Sequence, residues 1–263
     1  MRQFQQNLRQ HVRQVQADLP QAPPELTAPE FLQDALNELR LLLKSYDSSL
    51  TPPPEKETEF MPILEEALDP YLKGCESLAN DLQSPSSHIF MINCLLASKE
   101  TLQKFTFTEG RIAELDKSLE SRASALVEHI HQYILEASGL KPLLNALAEW
   151  DSSVRNQCIP FPSYYANERQ TTPLSEVSLF SPQSLGQISE KLDGFLPSAA
   201  IDAQSQLQRL ASPKTVAGII TQATDAFVDE FALIEETFVG DNGVEYARDV
   251  WPRTIDEVRV LLG

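Results

Sequence analysis

The stretch 86–107 restricts the fold of this chain more than any other part of the sequence. Between Ile89 and Ala97, every residue except Asn93 is apolar. A helix that is apolar on nearly all sides must be covered on nearly all sides. The run is too short to cross a bilayer, which needs about 20 apolar residues. The sequence therefore predicts a central helix over 86–105, packed among other helices.

Amphipathic patterns surround this stretch. Apolar residues recur at spacings of three and four, glycine accounts for only nine of 263 residues, and no strong alternating strand pattern is present. These features predict an all-α fold. The predicted helices cover residues 1–17, about 29–50, 58–78 with a kink or restart at Pro70, 86–105, 108–138, 140–150, 183–196, 198–210, 212–239 and a tail that ends at 262.

Local signals place several helix ends. The prolines at 52–54 are expected to end the second predicted helix, because proline lacks the helical N–H donor. Pro62 fits the first turn of a third helix that starts near Thr58. The other expected signals are capping hydroxyls at Ser86, Ser87, Thr108 and Ser212, a stop at Gly139, and a capping box of Thr254 with Glu257.

The proline content suggests two helical parts. We interpret 1–150 as a bundle built around the 86–105 helix, and 183–263 as a C-terminal bundle continuous with it. Between them, 151–182 loses the helical pattern and contains four prolines, which predicts a long loop or a boundary. Its aromatic residues fit either a pin that holds the loop to the core or a partner motif: Phe161, Tyr164 and Tyr165.

The net charge of −17, from 38 acidic and 21 basic residues, disfavours two kinds of partner. Nucleic-acid binding depends on clustered Lys and Arg, and anionic lipid attracts basic surfaces. We interpret Arg2, Arg9 and Arg13 as a solvated helix face rather than a binding patch. The sequence therefore predicts no nucleic-acid partner and only indirect contact with membranes.

The cysteines and the chain start bear on the cellular setting. Cys75, Cys94 and Cys158 are odd in number and far apart, which disfavours a disulfide framework or a zinc knuckle and fits a reducing compartment. The first residues lack the apolar core of a signal peptide. The helical pattern also opens without a cap, so we expect the chain to be a piece of a longer protein.

The sequence contains no recognisable catalytic, metal-binding or cofactor-binding motif. Glu128 and His131 have the spacing of di-iron helical bundles, but neither His11 nor His88 supplies a second such pair, so we interpret these histidines, with His129, as solvated or half-buried. Phosphate-binding glycine loops and nucleophile elbows are absent from the sequence. We therefore predict no catalytic, metal-binding or cofactor-binding residues and no enzymatic activity, and the partner interface stays unknown.

Two polar positions in the central helix have simple interpretations. Cys94 fits inert packing in an apolar helix. Asn93 fits either a satisfied interior amide or a specific hydrogen bond between helices. The acidic pairs Glu65–Glu66 and Glu235–Glu236 fit solvated helix faces.

Several short segments of the sequence resemble segments of one protein family. In chain order, the segments are Leu68-Asp-Pro-Tyr-Leu, Phe90-Met-Ile-Asn-Cys-Leu, Phe105-Thr-Phe-Thr-Glu-Gly-Arg-Ile, Tyr133-Ile-Leu-Glu-Ala-Ser-Gly-Leu and Pro252-Arg-Thr-Ile-Asp-Glu-Val-Arg-Val-Leu-Leu. In this order they resemble the C-terminal region of subunit six of the conserved oligomeric Golgi complex. Ile255 stands where that family commonly has proline. The resemblance covers most of 18–263 and is weakest across 151–182.

The resemblance implies a subunit of a Golgi vesicle-tethering complex that acts in intra-Golgi retrograde transport. It further implies an elongated rod of stacked antiparallel helical bundles, at the cytosolic face of the Golgi membrane. The implied partners are the other subunits of the complex, SNAREs, Rab GTPases and coat proteins. Two alternatives remain: an unrelated all-helical adaptor that binds a partner helix in an apolar groove, and a metal-bundle enzyme.

Overall fold

The structure, a computed structural model, describes residues 21–49, 53–156, 174–239, 246–251 and 253–262. No strand occurs within these ranges, so the all-α prediction is confirmed. The helices are α1 (Glu30–Asp47), α2 (Pro53–Ala67), α3 (Asp69–Asn80), α4 (Ser86–Leu102), α5 (Glu109–Ser138), α6 (Lys141–Asn156), α7 (Pro182–Phe195), α8 (Ala199–Gln206), α9 (Pro213–Val239), α10 (Ala247–Val250) and α11 (Ile255–Leu262). Short 3-10 turns lie at Thr106–Thr108, Leu174–Glu176 and Ser178–Phe180.

The described chain divides into two compact units. The first unit contains residues up to His129 together with Leu207–Ile219, and the second contains Ile130–Gln206 and the residues from Ile220 onward. Helices α5 and α9 contribute residues to both units. The predicted bundles 1–150 and 183–263 stay a prediction. Part of the boundary proposed between them, 157–173, lies outside the described residues.

Helix α4 is the central helix of the first unit, as its sequence predicts. Phe90 and Cys94, one turn apart on one face, are fully buried, and so is Ile92, which points to the other side of the helix. Helices α1 and α3 both pack against α4. This arrangement removes nearly all of its apolar surface from water, which is the main favourable contribution to folding.

The predicted cap of α4 is wrong. Pro85 occupies the N-cap position, and no side chain accepts a hydrogen bond there. The first N–H groups of the helix donate instead to backbone carbonyls of the preceding turn, those of Gln83 and Pro85, at 3.1 Å. Because these carbonyls already satisfy the first donors, the hydroxyls of Ser86 and Ser87 are not needed as caps.

Helix α2 begins earlier than its sequence suggests. It starts at Pro53 rather than near Thr58, so Pro62 lies in its interior instead of its first turn. Proline is favourable at a helix start because its missing N–H would be unpaired there anyway. The predicted restart near Pro70 is confirmed, because α2 ends at Ala67 and α3 begins at Asp69.

Two of the other predicted caps are confirmed, at Ser212 and Thr254, whereas the predicted cap at Thr108 is wrong. Ser212 Oγ accepts a hydrogen bond from the Thr215 N–H at 3.2 Å, and Thr254 forms the predicted capping box with Glu257. Thr108 directly precedes α5, but its hydroxyl donates to the carbonyls of Leu102 and Phe105, at 2.9 and 2.7 Å. Thr108 thus closes the turn before α5 by donating hydrogen bonds, not by accepting them.

Helices α6 and α8 end at residues other than those predicted. Helix α6 continues to Asn156, six residues beyond its predicted end at 150, and α8 stops at Gln206 rather than 210. Leu207 and Leu210, just after α8, are nevertheless buried. The apolar pattern after α8 therefore predicts correctly that these two leucines are buried, although the helical hydrogen bonding already ends at Gln206.

Several predictions fall outside the described residues. They are the helix over 1–17 with Arg2, Arg9, His11 and Arg13, and the loop residues Cys158, Phe161, Tyr164 and Tyr165.

Aromatic rings form the core of the second unit at one end of α9. The indole of Trp251 stacks on Phe231 with ring centroids 5.9 Å apart, and it meets Phe238 edge-on at 5.6 Å. Phe180 meets the other side of this group, 6.3 Å from Phe238. We call these four residues the aromatic cluster. It fixes the 3-10 turn at Ser178–Phe180 and Trp251 to α9.

Gly139 ends α5 in the left-handed conformation, with φ of +82°, as its position after Ser138 predicts. We expect Gly139→Ala to lower the free energy of unfolding by about 1–2 kcal/mol, because a Cβ there is strained. The added Cβ would also lie 2.9 Å from Cδ of Lys191. Thermal and urea unfolding would measure this change.

The control for this variant is Gly194→Ala in α7 of the same unit. Gly194 is exposed, and a Cβ there meets no atom of the described residues within 4 Å. Since alanine is the better helix former, this variant should keep or raise stability, by up to about 1 kcal/mol. Equal losses of stability in both variants would contradict the role given to Gly139.

Candidate interaction site

Asn93 is satisfied by hydrogen bonds to two connections, not to another helix. Its side-chain N–H groups donate to the carbonyls of Leu26 and Arg209, at 2.8 and 2.9 Å. Its carbonyl accepts from the N–H of Ala211 at 2.9 Å. The side chain is only 5% exposed. The structure thus supports the interpretation as a satisfied interior amide, and it identifies backbone groups far away in sequence as the partners.

The residues of the histidine pattern on α5 differ in their burial. His131 is buried, and its Nε2 lies 3.0 Å from Oε2 of Glu230 on α9, within the second unit. His129 is half-buried, and Glu128 is exposed. Within the described ranges, no group of three or more His, Cys, Asp and Glu side chains is placed to hold a metal ion. His131 and Glu230 therefore form a two-residue polar contact inside a helical core.

Cys75 and Cys94 are free thiols that lie together in the core of the first unit. A hydrogen bond with Cys75 and burial both raise the pKa of the Cys94 thiol far above its usual value. Since only the thiolate is a nucleophile, the burial of Cys94 and the raised pKa of its thiol support its interpretation as core packing.

One candidate site is a groove in the first unit, between α3, α4 and α5. It encloses about 460 Å³. Its floor is apolar and comes from all three helices, with Leu72 on α3, Met91 and Leu95 on α4, and Leu115 on α5. We call it the α3–α5 groove. Its volume lies within the range of small-molecule binding clefts, although charged and hydroxyl side chains outnumber apolar ones in its lining.

Charged side chains form the rim of the α3–α5 groove. Arg111 pairs with Asp69 on α3 and with Glu114 one turn along α5. The remaining charges on the lining are Lys73, Lys117, Arg122 and Glu76. None of these four forms an ion pair with another residue that the structure describes. Four cations and three carboxylates thus line the groove, which gives the lining a net charge of +1.

The floor of the α3–α5 groove is partly shielded from water. Burial raises the pKa of Asp69 above its usual value, and the charge of Arg111 offsets this rise only in part. Charges at such a site interact more strongly than charges in bulk water, because the effective dielectric constant is lower. The groove can therefore bind a charged ligand, while its lining shows neither an activated nucleophile nor a metal cluster in the described chain.

A second, smaller groove lies beside α1. It encloses about 410 Å³ and is lined mainly by apolar residues of α1, with Ala67 and Tyr71. Leu41 at its edge is 67% exposed. Nothing in the structure shows what covers this groove, so we base no functional argument on it.

The sequence did not reveal the α3–α5 groove. Lys73 lies on α3 and Lys117 lies on α5, 44 positions further along the sequence. On a single helix, Lys117 and Arg122 look like a solvated face. Only the packing of α3 and α5 against α4 brings these cations to one rim.

The described helices include none that is long and apolar enough to cross a membrane. No solved structure matches the chain. A family model described as Conserved Oligomeric Golgi complex subunit 6, C-terminal, matches residues 1–262.

The chain is also similar to curated proteins named Conserved oligomeric Golgi complex subunit 6. It is 37% identical to the proteins of that name from Sclerotinia sclerotiorum and from Phaeosphaeria nodorum, and it is covered completely in both comparisons. It spans 38% of the length of each of these relatives. The chain therefore belongs to the family formed by the C-terminal region of conserved oligomeric Golgi complex subunit 6.

Proposed function

We propose that this chain is part of a subunit of a Golgi vesicle-tethering complex, and that it acts as a helical scaffold in intra-Golgi retrograde transport. The observation that carries the proposal is the family match over residues 1–262. The all-α architecture supports it, because long buried helices hold surfaces in fixed positions for partners. In this role the chain works by binding and catalyses no reaction.

The proposed partners are the other subunits of the complex, together with SNAREs, Rab GTPases and coat proteins. The proposed location is the cytosolic face of the Golgi membrane, with the chain held there through its partners. The net charge of −17 supports indirect attachment, since anionic lipid headgroups repel an acidic surface. An elongated stack of antiparallel bundles stays a prediction of the same proposal.

Family membership argues against the adaptor unrelated to tethering. A groove that binds a partner helix is compatible with either role, because tethers also work by presenting surfaces. The α3–α5 groove therefore adds a binding site to the scaffold and does not favour a second function.

The test is affinity purification of the tagged full-length protein, followed by mass spectrometry of what copurifies. We expect the other subunits of the tethering complex in amounts comparable to the bait. The matched control is the same protein without the region that corresponds to this chain, which shows which partners need it. If no subunit of the complex copurifies with the intact protein, the proposal is wrong.

A further inference from the structure

We propose that the α3–α5 groove is a docking site for an acidic amphipathic helix of another protein. The inference goes beyond the proposed function and does not depend on it, because it is argued from the lining of the groove alone. Amphipathic helices bind by placing apolar side chains in a groove formed by other helices.

The apolar floor of the groove is the reason why we expect the bound helix to have an apolar face. Leu72, Met91, Leu95 and Leu115 present aliphatic and thioether surface at the bottom of the groove, and Met adapts its shape to different side chains. The volume of about 460 Å³ accommodates several aliphatic side chains of a bound helix. A purely polar anion such as free phosphate would leave this apolar floor unused.

The charged rim of the groove is the reason why we expect the bound helix to carry acidic side chains. Arg111 already has two carboxylate partners, whereas Lys73, Lys117 and Arg122 have no ion-pair partner among the described residues. These three cations stand on two facing helices, so they flank a ligand that lies in the groove. Glu76 offsets one of these cations, so the lining as a whole has a net charge of +1 in a chain whose net charge is −17.

The charge distribution also favours a peptide over an anionic membrane. A bilayer is an extended surface and meets the whole chain, whose net charge of −17 opposes the approach. A single helix in the groove meets mainly the rim, because charges beyond about 8 Å are screened at physiological ionic strength. The site therefore fits Asp or Glu side chains on a helix whose other face is apolar.

The experiment selects displayed random peptides of about 15 residues, roughly four helical turns, on the purified chain. We expect enriched peptides that combine Asp or Glu with large apolar residues, and we measure their affinities as synthetic peptides. The test variant is Lys73→Glu with Lys117→Glu, which should weaken binding by about tenfold or more, since each reversal replaces an attraction by a repulsion. Both lysines are exposed, so the change leaves the core intact.

The matched control is Lys44→Glu with Lys104→Glu. These two lysines are exposed residues of the same unit, and neither lines the groove. The control changes the net charge equally, and we expect it to change affinity by less than about twofold. A third variant, Ser118→Phe, fills the groove without changing its charge and should abolish binding.

Four outcomes would overturn the inference. They are the absence of enriched peptides, enrichment of basic or uncharged peptides, equal affinity loss in the groove and control variants, and unchanged binding to Ser118→Phe. Sedimentation of the chain with phosphatidylserine vesicles that depends on Lys73 and Lys117 would assign the groove to membranes instead. Failure of the enriched peptides to bind the full-length protein would show that another part of that protein covers the groove.

Discussion

Replacing Asn93 by alanine is expected to lower the free energy of unfolding of the first unit by about 3–5 kcal/mol. The substitution removes three hydrogen bonds at once and leaves the carbonyls of Leu26 and Arg209 and the N–H of Ala211 without their partner. A buried polar group without a partner costs about 1–3 kcal/mol. Leu26 also adopts a positive φ of 56°, which is uncommon for leucine, so its conformation depends on the contacts that hold it.

Urea unfolding followed by circular dichroism measures this change, and hydrogen exchange of peptides from α4 assigns it to the first unit. The control is Asn37→Ala, on the exposed side of α1, which should change stability by less than about 0.5 kcal/mol. Asn93→Asp separates shape from hydrogen bonding. The carboxylate still accepts from Ala211, but it cannot donate to the two carbonyls and repels them, so it should cost at least as much as alanine. A loss below about 1 kcal/mol for both variants would contradict the role of Asn93.

Replacing Phe231 by alanine is expected to lower the free energy of unfolding of the second unit by about 3–5 kcal/mol. The ring is fully buried and stacks on the indole of Trp251. Its removal forfeits the transfer free energy of the ring and leaves a cavity that the aromatic cluster can fill only in part. Trp251 fluorescence provides a local measurement, best made in a Trp150→Phe background so that Trp251 is the single emitter.

The control for this variant is Leu233→Ala, two residues along α9, where the side chain is 55% exposed. It removes a large apolar side chain from the same helix but leaves the cluster intact, so we expect less than about 1 kcal/mol of change. We further expect red-shifted emission of Trp251 in Phe231→Ala and unchanged emission in the control. Similar stability losses in the two variants would show that the aromatic cluster is not the core of this unit.

The apolar stripes predicted which segments are helical because a stripe reports local burial. Helix α5 is the clearest case, since its spacing of three and four residues runs unbroken to Gly139. Helix starts were less predictable. The hydroxyls of Ser86 and Ser87 match a cap signal, but they lie inside α4, and the carbonyls of Gln83 and Pro85 accept the first N–H hydrogen bonds instead.

The partners of Asn93 and the rim of the α3–α5 groove could not be predicted from one sequence. Arg209 lies 116 residues after Asn93, and its contribution is a backbone carbonyl, which every residue carries. The rim depends on which faces of α3 and α5 meet α4. In both cases the information lies in the packing of helices, while sequence spacing describes only one helix at a time.

The hydrogen bonds of Asn93 also have a consequence for biosynthesis. A chain emerges from the ribosome at about 5–20 residues per second, so the 116 residues from Asn93 to Arg209 take about 6–23 s to appear. During that interval, α4 has been made while the segment Leu207–Ile219, which completes its unit, has not. The nascent chain must therefore keep this almost entirely apolar helix shielded by earlier helices or by chaperones until the far end of the unit arrives.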